Sequence, residues 1–141
     1  MIIDANVLLY AADDTSRHHR TAAEFLDLHL NGDRRIGLPW QSLGAFLRIS
    51  THPRIFGSPL SGSAATQFVD DWVKAPAAWV PEVSGSTWSI LRGIVERDGV
   101  TGNLIPDAQL AALALEYGVP VASADSDFAR FGGVDWVNPF A

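Results

Sequence analysis

Four aspartates carry the chemistry open to this sequence. Asp4 closes the opening apolar run, Asp107 follows Ile105-Pro106, and Asp125 and Asp127 follow the run Pro120–Ala124. At ~4 Å and an effective dielectric near 20, two carboxylates repel by roughly 4 kcal/mol. Three or four brought together need a cation or raised pKa values to persist. Lys74 is the only lysine in the chain, so no lysine cluster stands ready to neutralise them. A hard divalent ion on oxygen ligands is the economical partner, and Mg²⁺ or Mn²⁺ suits carboxylates and water.

Whether the four meet depends on the elements that carry them. Met1–Asp4 reads as a short strand. Apolar residues at helical spacing predict helices over about His18–Leu30, Trp40–Ser50, Ser61–Ala75, Ser84–Arg97 and Pro106–Tyr117. Gly118 follows the last of these, where a left-handed cap is expected. Arg35–Leu38, Ala78–Pro81, Pro120–Ala124 and Val134–Val137 supply four further strands, and Asp125–Phe131 a short helix. Thr51–Ser61 and Gly99–Asn103 read as loops.

Strands alternating with helices predict crossover units: an α/β domain of three layers, with a parallel five-stranded sheet flanked by helices. Each helix of such a fold starts near the carboxyl ends of the strands. Asp4 and Asp125 end strands, and Asp107 opens a helix. All four acids are therefore expected on the sheet edge where open α/β folds place ligands. Asp107 shares its helix face with Leu110, Ala111 and Ala114, which aims it inward. Each acid also has a local reading: Asp4 in an Asx-turn, Asp107 at the helix dipole, Asp125 as an N-cap.

The 141 residues are the size of one domain, 1–141, and nearly half are apolar, enough for a core. The absence of cysteine excludes disulfides, thiolate zinc sites and thiol catalysis. No stretch approaches the ~20 apolar residues of a membrane span, and the N-terminus lacks a basic leader, so a cytoplasmic protein is expected. The net charge of −6 is unevenly spread. Residues 1–60 hold six arginines against six acids, and residues 61–141 hold four basic groups against ten acids. Only the first part offers phosphates a basic face, although those arginines are equally ordinary solvated charges.

Two segments carry a family resemblance. The opening IIDANVLLYA resembles the start of PIN domains, a strand ending in Asp-x-Asn followed by an apolar turn. PDAQLAALALEYGVPVASADSDFARF is similar to their second signature: Asp-Ala opening a helix, a glycine stop, a strand, and a Ser/Thr two residues before an Asp, then Asp-Phe. Between them, LPWQSLGAFLRISTHPRIF is similar to the helix and loop of VapC-type toxins. The resemblance spans nearly the whole chain.

It implies a PIN fold, Mg²⁺-dependent cleavage of RNA such as a transfer-RNA or ribosomal-RNA loop, a homodimer, and a VapB-type antitoxin that masks the site. Asp4, Asp107 and Asp125 match the first, third and fourth family acids, as metal ligands and catalytic groups, and Asp127 is an auxiliary. Asn6 and Ser123 would hold the acids by hydrogen bonds, and Asn103 would line the cleft. Asp125 would orient or deprotonate the attacking water, while Arg48 and Arg54 would meet RNA phosphates. One departure stands out. The family glutamate three residues before the arginine is Ala45 here, with Gly44 beside it, and Gln41 and Ser42 one turn earlier offer only neutral oxygens.

Two rivals follow. A haloacid-dehalogenase-like phosphatase also starts with a strand-ending aspartate, but it needs Asp-x-Asp where this chain has Asp4-Ala5-Asn6, and a lysine that is missing. The other rival is an RNA- or antitoxin-binding protein with weak or no nuclease activity, left so by the absent acid.

Overall fold

A computed structural model describes residues 1–141. Five parallel strands, β1 (Ile2–Ile3), β2 (Ile36–Gly37), β3 (Ala78–Trp79), β4 (Val121–Ala122) and β5 (Trp136–Val137), form one sheet in the order β3-β2-β1-β4-β5. The chain winds outward from β1 on one side through β2 and β3, and on the other through β4 and β5. The reversal lies between β1 and β4, whose register pairs Ile3 with Ala122. In open α/β sheets that is where a crevice opens.

Alternation along the strands divides the core. Ile3 and Ala122 pack with α1 (Ala5–Ala12), α2 (His19–Leu30), α3 (Trp40–Ser50) and α4 (Gly62–Val73). Ile2 and Val121 face the other way, onto α5 (Gly85–Asp98) and α6 (Ile105–Tyr117). The result is the expected three-layer α/β arrangement. Gly37 sits in close quarters: a Cβ there would stand 2.6 Å from Ile2 Cδ1 and 3.3 Å from the Met1 carbonyl oxygen, so the buried Ile2 side chain would have to shift.

The helices follow local chemistry. Ser61 caps α4 by accepting from the Ala64 amide, and Ser84 opens α5 in a capping box with Thr87. Gly118 ends α6 with φ of 65°, a conformation that favours glycine. No helix is long and apolar enough to cross a membrane.

The main difference from expectation is α1. The segment after Asp4 reads as an apolar turn, yet Ala5–Ala12 is helical, with Val7 and Leu8 fully buried. Its sequence ANVLLYAA shows almost no polar–apolar alternation, because the helix is covered by α2, α3 and the sheet. Periodicity cannot reveal a helix without a wet face. The strands are also shorter than their apolar runs, two residues each. The loop Gly99–Asn103 runs into a 3-10 turn at Gly102–Leu104.

Candidate metal centre

Asp4 is fixed before any ligand arrives. As N-cap of α1, its Oδ1 accepts the Ala5 amide at 2.7 Å. Its Oδ2 accepts the Ser123 hydroxyl at 2.6 Å and the Asn6 amide at 3.2 Å. Asn6 also donates to Ser123 Oγ at 3.0 Å, and its Oδ1 accepts the Ala124 amide at 3.1 Å. The Asp125 amide donates to Ser123 Oγ at 3.0 Å. One network therefore ties the carboxyl ends of β1 and β4 together. Burial raises the Asp4 pKa and Asp125 raises it further, against the opposing bonds from Ser123 and Ala5.

Asp107 differs. It lies half-buried in the first turn of α6 and accepts no hydrogen bond from the chain. Burial, then the charges of Asp125, Asp4 and Asp127, push its pKa up to about 6. Carboxylate oxygens of Asp107, Asp125 and Asp127 lie within 4.8 Å of one another. Asp125 Oδ1 accepts the Asp127 amide at 2.8 Å, and Asp127 meets the exposed Arg130 at 3.3 Å. No other basic side chain pairs with an acid of the group.

Hard oxygen donors, an excess of negative charge and a carboxylate without a donor fit a divalent cation. Asp107, Asp125 and Asp127 have the spacing to hold one, with Asp4 at their border. The local readings hold at the same time: Asp4 caps α1, and Asp125 caps the 3-10 turn Ser126–Arg130.

Residues 1–134 match the PIN domain family profile. The chain belongs to the PIN-domain family. Within that family it is similar to ribonuclease VapC37 of Mycobacterium tuberculosis, 44% identical over 98% of this chain and 96% of that one. Ribonuclease VapC33 of the same species is 35% identical over 99% of this chain and 97% of its own. Among solved structures, VapBC2 from Rickettsia felis, bound to a DNA fragment from its promoter, shares the fold with a TM-score of 0.71. That match has 15% identity and covers 97% of this chain and 96% of the other. FitAcB from Neisseria gonorrhoeae gives 0.68 at 17% identity, covering 99% and 97%.

Around this PIN-domain centre the remaining candidates are placed unequally. Gln41, Ser42 and Ala45 of α3 line a pocket of about 80 Å³ together with Asp4, Pro106 and Asp107. The position of the missing glutamate thus borders the acids. Arg48 stands one turn beyond Ala45 on the same stripe, exposed and unpaired. Arg54 lies in the loop after α3, also exposed, and Asn103 is exposed without a side-chain hydrogen bond. Neither is brought into the acid network. Among the aromatics, Phe46, Phe56 and Trp72 are core, while Trp40 and Trp88 are 79% and 61% exposed.

One contact has no signal in the sequence. The Trp136 indole donates to the Ser123 carbonyl at 2.9 Å, so β5 clamps the residue that holds Asp4. Nothing in the spacing of Trp136 distinguishes it from a core aromatic.

Proposed function

We propose that this chain is a divalent-metal-dependent endoribonuclease, the toxin of a type II toxin–antitoxin pair. Mg²⁺ would be its metal, with Mn²⁺ as a substitute, and structured RNA such as a transfer-RNA or ribosomal-RNA loop its substrate. The observation that carries this reading is Asp107: a half-buried carboxylate without a donor, facing three other acids, its pKa raised to about 6. The names of the VapC relatives, ribonucleases along their whole length, support the same class.

When bound, a divalent ion would polarise the scissile phosphate and lower the pKa of water. The side chains divide the remaining work. Asp4, Asp107 and Asp125 supply the ligands and catalytic carboxylates, with Asp127 as auxiliary. Ser123 and Asn6 keep Asp4 in one rotamer, so its orientation is set before substrate arrives. Asp125, within the cluster, would orient or deprotonate the attacking water. Arg48, on the stripe that leads to the acids, neutralises charge developing on the phosphate, and Arg54 meets the RNA backbone farther out.

A VapB-type antitoxin is the proposed partner. The groove between α2 and α4 has Phe68 in its wall and the exposed Asp27, Asp71 and Lys74 beside it, which give a partner segment side chains to recognise. A homodimer would cover Trp88, in the first turns of α5, and Val83 just before the helix, both exposed. The 141 residues would act as one unit in the cytoplasm.

The test is cleavage of total RNA by the parent chain across a Mg²⁺ series, beside Asp107→Asn. Products that need the metal and vanish in the variant support the reading. RNA affinity without products at any Mg²⁺ or Mn²⁺ concentration overturns it. That outcome favours the binding protein, for which Ala45 bordering the acids is the specific observation.

A further inference from the structure

We propose that Ser42 is a positioning residue of this centre, its hydroxyl holding a water beside Asp4 and Asp107 in the space that a glutamate at position 45 would fill. The inference rests on the metal-nuclease reading above. Ser42 is 2% exposed, and its Oγ has no hydrogen-bond partner within the chain. Buried hydroxyls are nearly always partnered, so an isolated one marks a water, an ion or a function.

The surroundings decide which. Ser42 lines the pocket of about 80 Å³ whose other polar walls are Asp4, Asp107 and Gln41. A water requires a cavity of only about 10–15 Å³ and roughly two to four polar partners. This pocket is larger, and four of its lining residues carry polar side chains. The room exists because residue 45 is alanine. A glutamate there would carry its carboxylate into the same space.

A hydroxyl and a carboxylate differ in what they give a cation. A glutamate would add a charge, whereas Ser42 adds only a fixed dipole through the water. Its O–H donates to the water oxygen and the water's own protons point to the acids, which leaves one lone pair of that oxygen free for a cation. Asp107 is half-buried and accepts no hydrogen bond from the chain, so its acceptor capacity is unused. Asp4 keeps acceptor capacity beyond its three bonds, because an ionised carboxylate offers about four lone-pair sites.

Ser50 is the internal control. It is also fully buried in α3 with an unpartnered Oγ, yet it lies eight residues on, about 12 Å along the helix. No acid of the cluster borders it.

The experiment is Mn²⁺ titration calorimetry on the full chain, paired with thermal unfolding of the metal-free protein. Ser42→Ala is expected to weaken Mn²⁺ binding roughly tenfold, the usual size of a lost outer-shell contact. Its metal-free melting temperature should stay level or rise, because the hydroxyl makes no hydrogen bond within the chain that could be lost. Ser50→Ala should leave the affinity unchanged. The proposal is overturned if Ser42→Ala binds Mn²⁺ like the parent, if Ser50→Ala weakens binding equally, or if Ser42→Ala melts lower without metal. Asp107→Asn separates the two levels. If the parent takes up no Mn²⁺, or Asp107→Asn binds it unchanged, the metal-nuclease reading itself fails. If binding depends on Asp107 but not on Ser42, only the present proposal does.

Discussion

The two edges of the sheet carry opposite charge, and they handle it differently. At the amino edge, before β2, Arg34 and Arg35 border a cleft with His29, Trp79 and Tyr117. Both arginines are exposed, and Arg35 lays its guanidinium 4.2 Å from the centre of the Trp79 ring. At the carboxyl edge the acids are half-buried: Asp4 and Asp125 are locked by hydrogen bonds to Ser123, Asn6 and backbone amides, and Asp107 has none. Water and salt screen the exposed arginines, so their proximity costs little. Acids removed from water meet one another almost unscreened, and Asp107 shows it. Like charges identify a site only where burial denies them solvent.

The strongest test of that contrast is removal of one charge at each edge. Asp107→Asn should reduce RNA cleavage to background while the fold persists, and Arg35→Ala should leave the rate near that of the parent. A folded Asp107→Asn protein cleaving at the parent rate would break the assignment of the carboxyl edge. A smaller effect is expected from adding a charge. Ala45→Glu places an acid at the border of the cluster and should tighten Mn²⁺ binding roughly tenfold, measured by calorimetry. No change would mean that this helix face does not reach the ion.

The third prediction concerns pH. The folded-state pKa of Asp107 is raised to about 6, from 3.8 for a free aspartate side chain. The folded state therefore holds the proton more tightly than the unfolded chain between those values. Stability of the metal-free protein should fall as pH rises through this window, and the penalty is fully present above about 6. Asp4 shifts in the same direction. Melting curves between pH 4 and pH 7 should show the decline, and Asp107→Asn should flatten it. A parent curve that rises with pH as steeply as the variant's would contradict the burial of Asp107.

The smallest effects concern RNA affinity. Each phosphate contact on a single strand contributes about −0.7 to the slope of log K against log salt. Neutralising Arg48 and Arg54 together should flatten that slope by roughly one to one and a half units. Neutralising Arg34 and Arg35 at the opposite edge should leave it unchanged. So should neutralising Arg92 and Arg97, which pair with Glu96 and Asp98. Filter binding of a non-cleavable RNA to Asp4→Asn protein measures all three pairs, and equal slopes would remove the arginines of residues 1–60 from the RNA face.

How much of this could be read beforehand differs by element. Trp40–Ser50 and Pro106–Tyr117 announced themselves through apolar spacing and, for the second, a glycine stop, because each meets a distinct neighbour. The meeting of Asp4 with Asp125 followed from strand direction alone, since β1 and β4 both end at the crevice. Helix α1 was hidden because burial on every side erases its pattern. The Trp136 clamp and the isolated Ser42 hydroxyl were hidden for another reason: both depend on side-chain geometry across elements far apart in the chain. Asp127 reads from sequence as an accessory acid, yet its oxygens fall within the closest trio, because the Asp125 cap folds the turn back on itself.

The shortness of the strands has a consequence for association. The outer strands, β3 and β5, hold two residues each. Pro81 and Pro139 follow within two residues of their ends. An added strand needs a row of free amides, and proline has none to give. Such short outer strands, each closed off by a proline, offer another polypeptide few free amides and so disfavour edge-to-edge aggregation. Recognition is left chiefly to side chains on helices and loops, where selectivity can be written residue by residue.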